Sequence, residues 1–147
     1  MTRLSIATTS VPGDLFAKLE TIAEVGFPAV ELHEPDLTGF AESPKEIRRR
    51  AGDLGLSIDA LQPFHDFEGL SGTLRDQAFA RLDRKLDLLG ELGAKTLLIG
   101  TSTHPNASAE AEQIQDDFQD LAERLRKHDL RAALIALPWA RHLRTVM

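Results

Sequence analysis

Four of the five histidines in this chain, His33, His65, His104 and His142, stand at or just past the ends of apolar runs. Other groups able to do chemistry gather at the same places. Thr8, Thr9 and Ser10 follow the first run, and Glu31, Glu34 and Asp36 flank His33. Gln62, Asp66 and Glu68 surround His65, Thr101 and Ser102 precede His104, and Arg141 precedes His142. Imidazoles and carboxylates suit zinc, manganese and similar ions, and histidine moves protons near neutral pH. The set therefore points to a metal site or to acid–base catalysis. Competing readings stay open residue by residue. His33 shares a strand face with Glu31 by period-two alternation, yet it is equally a solvated loop imidazole. Glu31 lies inside an apolar run, where a carboxylate is costly unless it is paired or faces a polar cavity, so a site role and a structural salt bridge both account for it. His104, in THPNAS, reads as part of a turn leading into a helix. His128 falls in the last turn of a helix, where a cation suits the dipole. Arg84 and Lys85 read as a solvated helix face, and Trp139 as either a pocket wall or a cap on a barrel floor.

The elements that must carry these residues show as a repeat. IAEVGFPAVEL ends a helical segment, passes Gly26 and enters an apolar run. RAGDLGLSIDAL does so through Gly55, LGELGAKTLLIG through Gly93, and RKHDLRAALIAL through Asp129, at spacings of 29, 38 and 36 residues. Glycine suits the left-handed residue that closes a helix, and Asp tolerates that conformation better than most residues. Helix, closing residue, strand is the unit, and its repetition predicts parallel strands joined by crossover helices.

Strands are predicted over Leu4–Thr8, Ala29–His33, Ser57–Gln62, Lys95–Gly100 and Arg131–Leu137, the last read as buried. Helices are predicted over Asp14–Val25, from Ser43 to Leu54, from about Thr73 through Leu89, and over Ser108–His128. The second opens on Ser43, Pro44 and Glu46, a capping box with proline at the first helical position, and turns Ile47, Ala51 and Leu54 inward. The third carries Phe79, Leu82, Leu86 and Leu89 three or four apart; the fourth carries Ala111, Ile114, Phe118, Leu121 and Leu125. The longest connections, Glu34–Ser43 and Pro63–Gly72, both follow strands, which is the functional end of a parallel α/β protein.

Composition narrows the field further. With 147 residues, 42% of them apolar, the chain is expected to form a single domain over residues 1–147. A formal net charge of -6 disfavours nucleic acid or an anionic membrane as partner. No cysteine is present, so disulfides and thiolate–zinc sites are excluded. There is no run of about 20 apolar residues and no signal-peptide pattern at the N-terminus, so a cytoplasmic location is expected. Glycine-rich phosphate loops and a G-x-S-x-G elbow are absent, which removes support for dinucleotide and serine-hydrolase readings.

Three stretches resemble a known family: LSIATTSVPGDLFAKLETIAEVGFPAVELHEPDL, SPKEIRRRAGDLGLSIDALQPFHDFEG and DRKLDLLGELGAKTLLIG. They are similar to the first half of the bacterial 3-dehydroshikimate dehydratases, xylose-isomerase-like TIM barrels of the sugar phosphate isomerase/epimerase group. QPFHDFEG, Gln62 to Gly69, is the most specific piece. The resemblance implies a metal-dependent lyase that removes water from 3-dehydroshikimate to give protocatechuate, in quinate and shikimate catabolism. It implies a divalent ion (Mg, Mn or Co) to polarise a substrate oxygen, and a base to take a proton next to the carbonyl. By the same resemblance His142 and Glu31 are catalytic, and Gln62, His65 and Arg141 contact a small-molecule substrate. Two positions depart from the family pattern. Ile135 occupies the place of a glutamate metal ligand, so no metal ligand is assigned in this chain, and His65 stands where an arginine is usual.

The expectation is therefore an α/β fold, a truncated TIM (β/α) barrel of about five parallel strands and four helices. The chain alone is expected to be inactive. The alternatives are a catalytically dead half-barrel acting in an assembly, or another isomerase- or epimerase-like enzyme. The exposed edges of the first and last strands make a homo-oligomer a further expectation.

Overall fold

The computed structural model describes residues 4–145. The chain alternates strand and helix: β1 (Ser5–Ala7), α1 (Leu15–Val25), β2 (Ala29–His33), α2 (Pro44–Asp53), β3 (Ser57–Phe64), α3 (Gly72–Leu92), β4 (Thr96–Gly100), α4 (Ala111–Lys127) and β5 (Arg131–Ile135). The five strands are parallel and form one sheet in the order β1-β2-β3-β4-β5. Two short 3-10 turns, Thr8–Ser10 and Glu34–Leu37, follow β1 and β2.

The repeat read from the sequence is built as expected. Gly26, Gly55, Gly93 and Asp129 all adopt positive φ, at 93°, 75°, 72° and 54°. In the first unit of the repeat the N–H of Gly26 returns to the Ala23 carbonyl, and that of Phe27 to Ile22. The chain thus leaves each helix by a left-handed step that satisfies its last carbonyls and turns it into the next strand.

The residues group into two compact units, Met1–Gln62 with Leu88–Thr96, and Pro63–Asp87 with Leu97–Met147. In the first unit, α1 buries Leu15, Leu19 and Ile22, and α2 buries Ile47 and Ala51. Val30 and Leu32 of β2 are fully buried while Glu31 and His33 are half-exposed, the alternation expected of a strand with one covered face. A bulge between Val30 and Glu31 shifts the register, pairing Glu31 with Ala60 and His33 with Gln62. In the second unit the Phe67 ring lies at the centre of an aromatic cluster, edge-on to Phe79 at 6.3 Å and to Phe118 at 5.3 Å. Leu82 and Leu86 of α3, Leu97 and Ile99 of β4, and Leu121 and Leu125 of α4 are buried beside it in the same unit.

Several sequence expectations are corrected. β1 stops at Ala7 because Thr8–Ser10 wind into a 3-10 turn. β3 runs two residues further than expected, through Pro63 to Phe64. β5 ends at Ile135 and is not buried: it is last in the strand order, and Leu134 and Ile135 are 40% and 46% exposed. Leu54 is not part of the inward face of α2; it is the C-cap and is 38% exposed. The capping box at Ser43 is half realised. Ser43 Oγ accepts from the Glu46 N–H, but the Glu46 carboxylate is drawn to the Arg49 guanidinium. α4 begins at Ala111, not Ser108, and Ala111 is exposed. Lys85 is half-buried, and burial lowers its pKa. Trp139 is 72% exposed.

Candidate functional site

In the first unit, the candidate groups sit where β2 and β3 end. Gln62 Nε2 donates to Glu31 Oε1. Partial burial raises the Glu31 carboxyl pKa above its ordinary 4.5. Glu31 therefore makes a hydrogen bond to Gln62, and it holds a proton more readily than a solvated glutamate does. Beside it lies a network that sequence reasoning missed. His33 N–H donates to Thr8 Oγ1 at 3.0 Å, and Thr8 Oγ1 donates to Asp36 Oδ2 at 2.6 Å. Lys18 Nζ, from the buried face of α1, donates to Asp36 Oδ1 at 2.9 Å. Burial acts to raise the Asp36 pKa, but hydrogen bonds from Lys18 and Thr8, with the Lys18 charge, outweigh it and leave the pKa lowered. The signal for this network was weak: a lysine one position from the apolar stripe of a helix.

In the second unit the loop after β3 grips the loop after β4. Asp66 Oδ1 accepts from the N–H groups of Thr103 (2.8 Å) and His104 (3.1 Å) and from the Ser102 and Thr103 hydroxyls (3.3 and 3.2 Å). Its other oxygen, Oδ2, lies 2.9 Å from His65 Nδ1. Burial pushes the Asp66 pKa up, while hydrogen bonds from Thr103 and His65 pull it down; the net direction is down. Glu68, only 3% exposed, accepts from the Ser102 N–H through Oε1, and its Oε2 has no protein partner. Burial raises its pKa above 4.5, opposed by hydrogen bonds from backbone N–H groups and reinforced by the Asp66 and Asp117 charges. Asp117, fully buried on α4, accepts from the Gly69 N–H at 2.8 Å and from Arg75 at 2.7 Å. No reading of the apolar stripe of α4 singled it out, although it sits one turn from Ile114 and Leu121.

The remaining predicted residues are also placed. His142 Nε2 donates to the Ala107 carbonyl at 2.7 Å, which leaves Nδ1 as the nitrogen able to take up a proton. Arg141 is exposed and its N–H donates to the Ser102 carbonyl at 2.7 Å. The Ile135 carbonyl accepts from the Thr101 N–H at 3.1 Å, and its side chain offers no donor atom to a cation. Thus Glu31 and Gln62 meet directly, and His65, Arg141 and His142 each belong to the loops of the second unit.

Among the described residues no group of three or more His, Asp or Glu side chains is placed to hold a metal ion. With isoleucine at 135, the described residues do not fit a divalent cation. No described helix is long and apolar enough to cross a membrane.

The sequence pattern of the xylose isomerase-like TIM barrel family matches residues 19–143. The chain belongs to that family. A curated relative, the 3-dehydroshikimate dehydratase of Pseudomonas putida, is 40% identical over 141 residues. That match takes in 96% of this chain but only 22% of the relative, so the chain spans about a fifth of its length. A solved structure described as a xylose isomerase-like TIM barrel/4-hydroxyphenylpyruvate dioxygenase fusion protein superposes with a TM-score of 0.92 at 39% identity, over 97% of this chain and 23% of that one. The IolI protein, described with a bound zinc atom, shares the fold at a TM-score of 0.77 and 15% identity, over 90% of this chain and 51% of that one.

Two expectations follow from the ionic geometry. Asp36→Ala should cost about 3 kcal/mol, because Lys18 is left buried without its partner. Adding Lys18→Met should recover most of the loss, as read from urea-denaturation midpoints. Additive losses in the double variant would contradict the pairing. Glu68 is the opposite case. Its raised pKa means the folded state favours the neutral form, so its contribution is full below pH 4.5 and is lost as pH rises through the folded value. Glu68→Gln should therefore gain stability relative to wild type as pH rises from 4 to 8; a constant difference across that range would contradict it.

Proposed function

We propose that this chain is the β1–β5 portion of a barrel of the 3-dehydroshikimate dehydratase type, carrying substrate-contacting groups but not the means of turnover by itself. The observation that carries this reading is the 40% identity to a curated dehydratase over 96% of the chain, which includes QPFHDFEG. In the first unit, Glu31 is the acid–base group and Gln62 its hydrogen-bonding neighbour. A glutamate whose pKa is raised by burial is suited to exchanging a proton next to a carbonyl. In the second unit, His65 and Arg141 are assigned contacts to substrate, Arg141 as a cation for a carboxylate. His142 is assigned a proton-transfer role, which falls to Nδ1 because Nε2 is engaged. The whole enzyme would work in the cytoplasm, in quinate and shikimate catabolism, within one (β/α)-barrel domain. Its divalent cation, whether Mg, Mn or Co, would need ligands other than the described residues.

The test is direct. Purified chain with a divalent ion and 3-dehydroshikimate should give no ultraviolet absorbance of protocatechuate, and Ile135→Glu alone should not restore it. Grafted in place of the matching 141 residues of the Pseudomonas putida dehydratase, the chain should support turnover only when residue 135 is glutamate. Turnover by the chain alone, or a graft indifferent to residue 135, would refute the reading.

A second reading, a catalytically inactive module that pairs with another copy or another half-barrel, is favoured by the exposure of Leu134 and Ile135 on the last strand of the sheet. It predicts a dimer or larger species in size-exclusion chromatography. A sharp monomer peak with no binding of an apolar dye would contradict it.

A further inference from the structure

His65 and Asp66 are neighbours in sequence, and their side chains meet, with His65 Nδ1 2.9 Å from Asp66 Oδ2. The backbone that allows this is unusual. Asp66 adopts φ +56°, a conformation that non-glycine residues seldom take. It is held from both sides. Arg81 of α3 donates to the Asp66 carbonyl at 2.8 Å and to the His65 carbonyl at 3.3 Å, with its guanidinium over the Phe64 ring. From the loop after β4, the N–H groups of Thr103 and His104 converge on Asp66 Oδ1.

The two carboxylate oxygens therefore have different duties. Oδ1 faces two backbone N–H groups, which can only donate, so an acceptor is required there. Oδ2 faces His65 Nδ1. An ionised carboxylate only accepts, so Nδ1 must carry the proton, and the lone pair of the neutral ring is on Nε2. Among the described residues the imidazole is tethered through Nδ1, and the His65 side chain is 49% exposed.

We propose that Asp66 is a positioning residue that assigns the proton of His65 to Nδ1 and so presents Nε2 as a proton acceptor for a ligand hydroxyl or bound water. When the ring takes up a second proton, the same Nε2 becomes a charged donor for a carboxylate. The functional consequence rests on the reading of His65 as a substrate contact. The tautomer itself does not, since it is measured without substrate.

Asp66→Asn makes the inference sharp. The asparagine must place its carbonyl oxygen where Oδ1 was, because two fixed N–H donors point there. Its NH₂ then faces His65 Nδ1, which is forced to become the acceptor, and the ring proton moves to Nε2. The substitution should therefore invert the tautomer rather than merely weaken it.

The experiment is long-range ¹⁵N–¹H correlation spectroscopy on the full chain labelled in histidine, above the pH at which imidazoles titrate, with His65→Gln to assign the signal. Wild type should show a protonated Nδ1 and a bare Nε2 at His65, and Asp66→Asn the reverse. A wild-type His65 that is Nε2-protonated or a rapidly exchanging mixture overturns the proposal, whether or not the variant folds. So does a folded Asp66→Asn protein whose His65 tautomer is unchanged. A dehydratase assay that fails while the tautomer result holds would sink the substrate reading and leave the role of Asp66 intact.

Discussion

A backbone N–H that emerges from the end of a parallel strand has lost its ladder partner and must find another acceptor. In this protein the acceptors are side chains, and they are the same side chains that could do chemistry. The His33 N–H, at the end of β2, goes to the Thr8 hydroxyl, which in turn leans on Asp36 and Lys18. Past the end of β4, the Ser102 N–H goes to Glu68, and those of Thr103 and His104 go to Asp66. The Leu137 N–H, past β5, goes to the Thr101 hydroxyl at 3.0 Å. The loops after β2, β4 and β5 are each thereby fixed by a group reaching from the loop or strand before it. Removing Glu68 would leave the buried Ser102 N–H unpaired, which costs more than the hydrogen bond itself contributes.

This arrangement explains why the pKa directions diverge among carboxylates only a few residues apart. Asp66 and Asp36 collect several donors, so their ionised forms are favoured despite partial burial. For Glu31 and Glu68 burial prevails; Glu68, though it accepts from backbone N–H groups, has no cation beside it among the described residues and feels the Asp66 and Asp117 charges. The division separates carboxylates held ionised by their donors from those that burial inclines toward the neutral form. Among the described residues no cluster of three His, Asp or Glu side chains is placed to grip a cation.

Much of the fold was legible because its signals are local. Gly26, Gly55, Gly93 and Asp129 announce four helix ends through a backbone requirement that acts on one residue at a time. The stripe Phe79, Leu82, Leu86 and Leu89 marks α3 by period alone, and all four side chains are buried. The candidate site was legible only in outline. Its location at strand ends followed from the parallel topology, and the meeting of Glu31 with Gln62 agrees with their places at the ends of neighbouring strands. The anchoring of Asp66 and Glu68 was not legible, because their partners lie 34 to 38 positions away and are backbone groups of no particular residue type. The exposure of β5 was hidden for a related reason. RAALI has a composition suited to burial, and whether it is covered depends on what packs beside it rather than on its own residues.

The measurement that bears most directly on this account is native-state hydrogen exchange at the amides of His33, Ser102, Thr103 and His104. Side-chain acceptors that truly replace the lost ladder should protect these loop amides at a level approaching that of β2 and β4. Exchange at the rate of an unstructured peptide, with β2 and β4 still protected, would show that the loops are not held by these carboxylates and hydroxyls, and the account would fail.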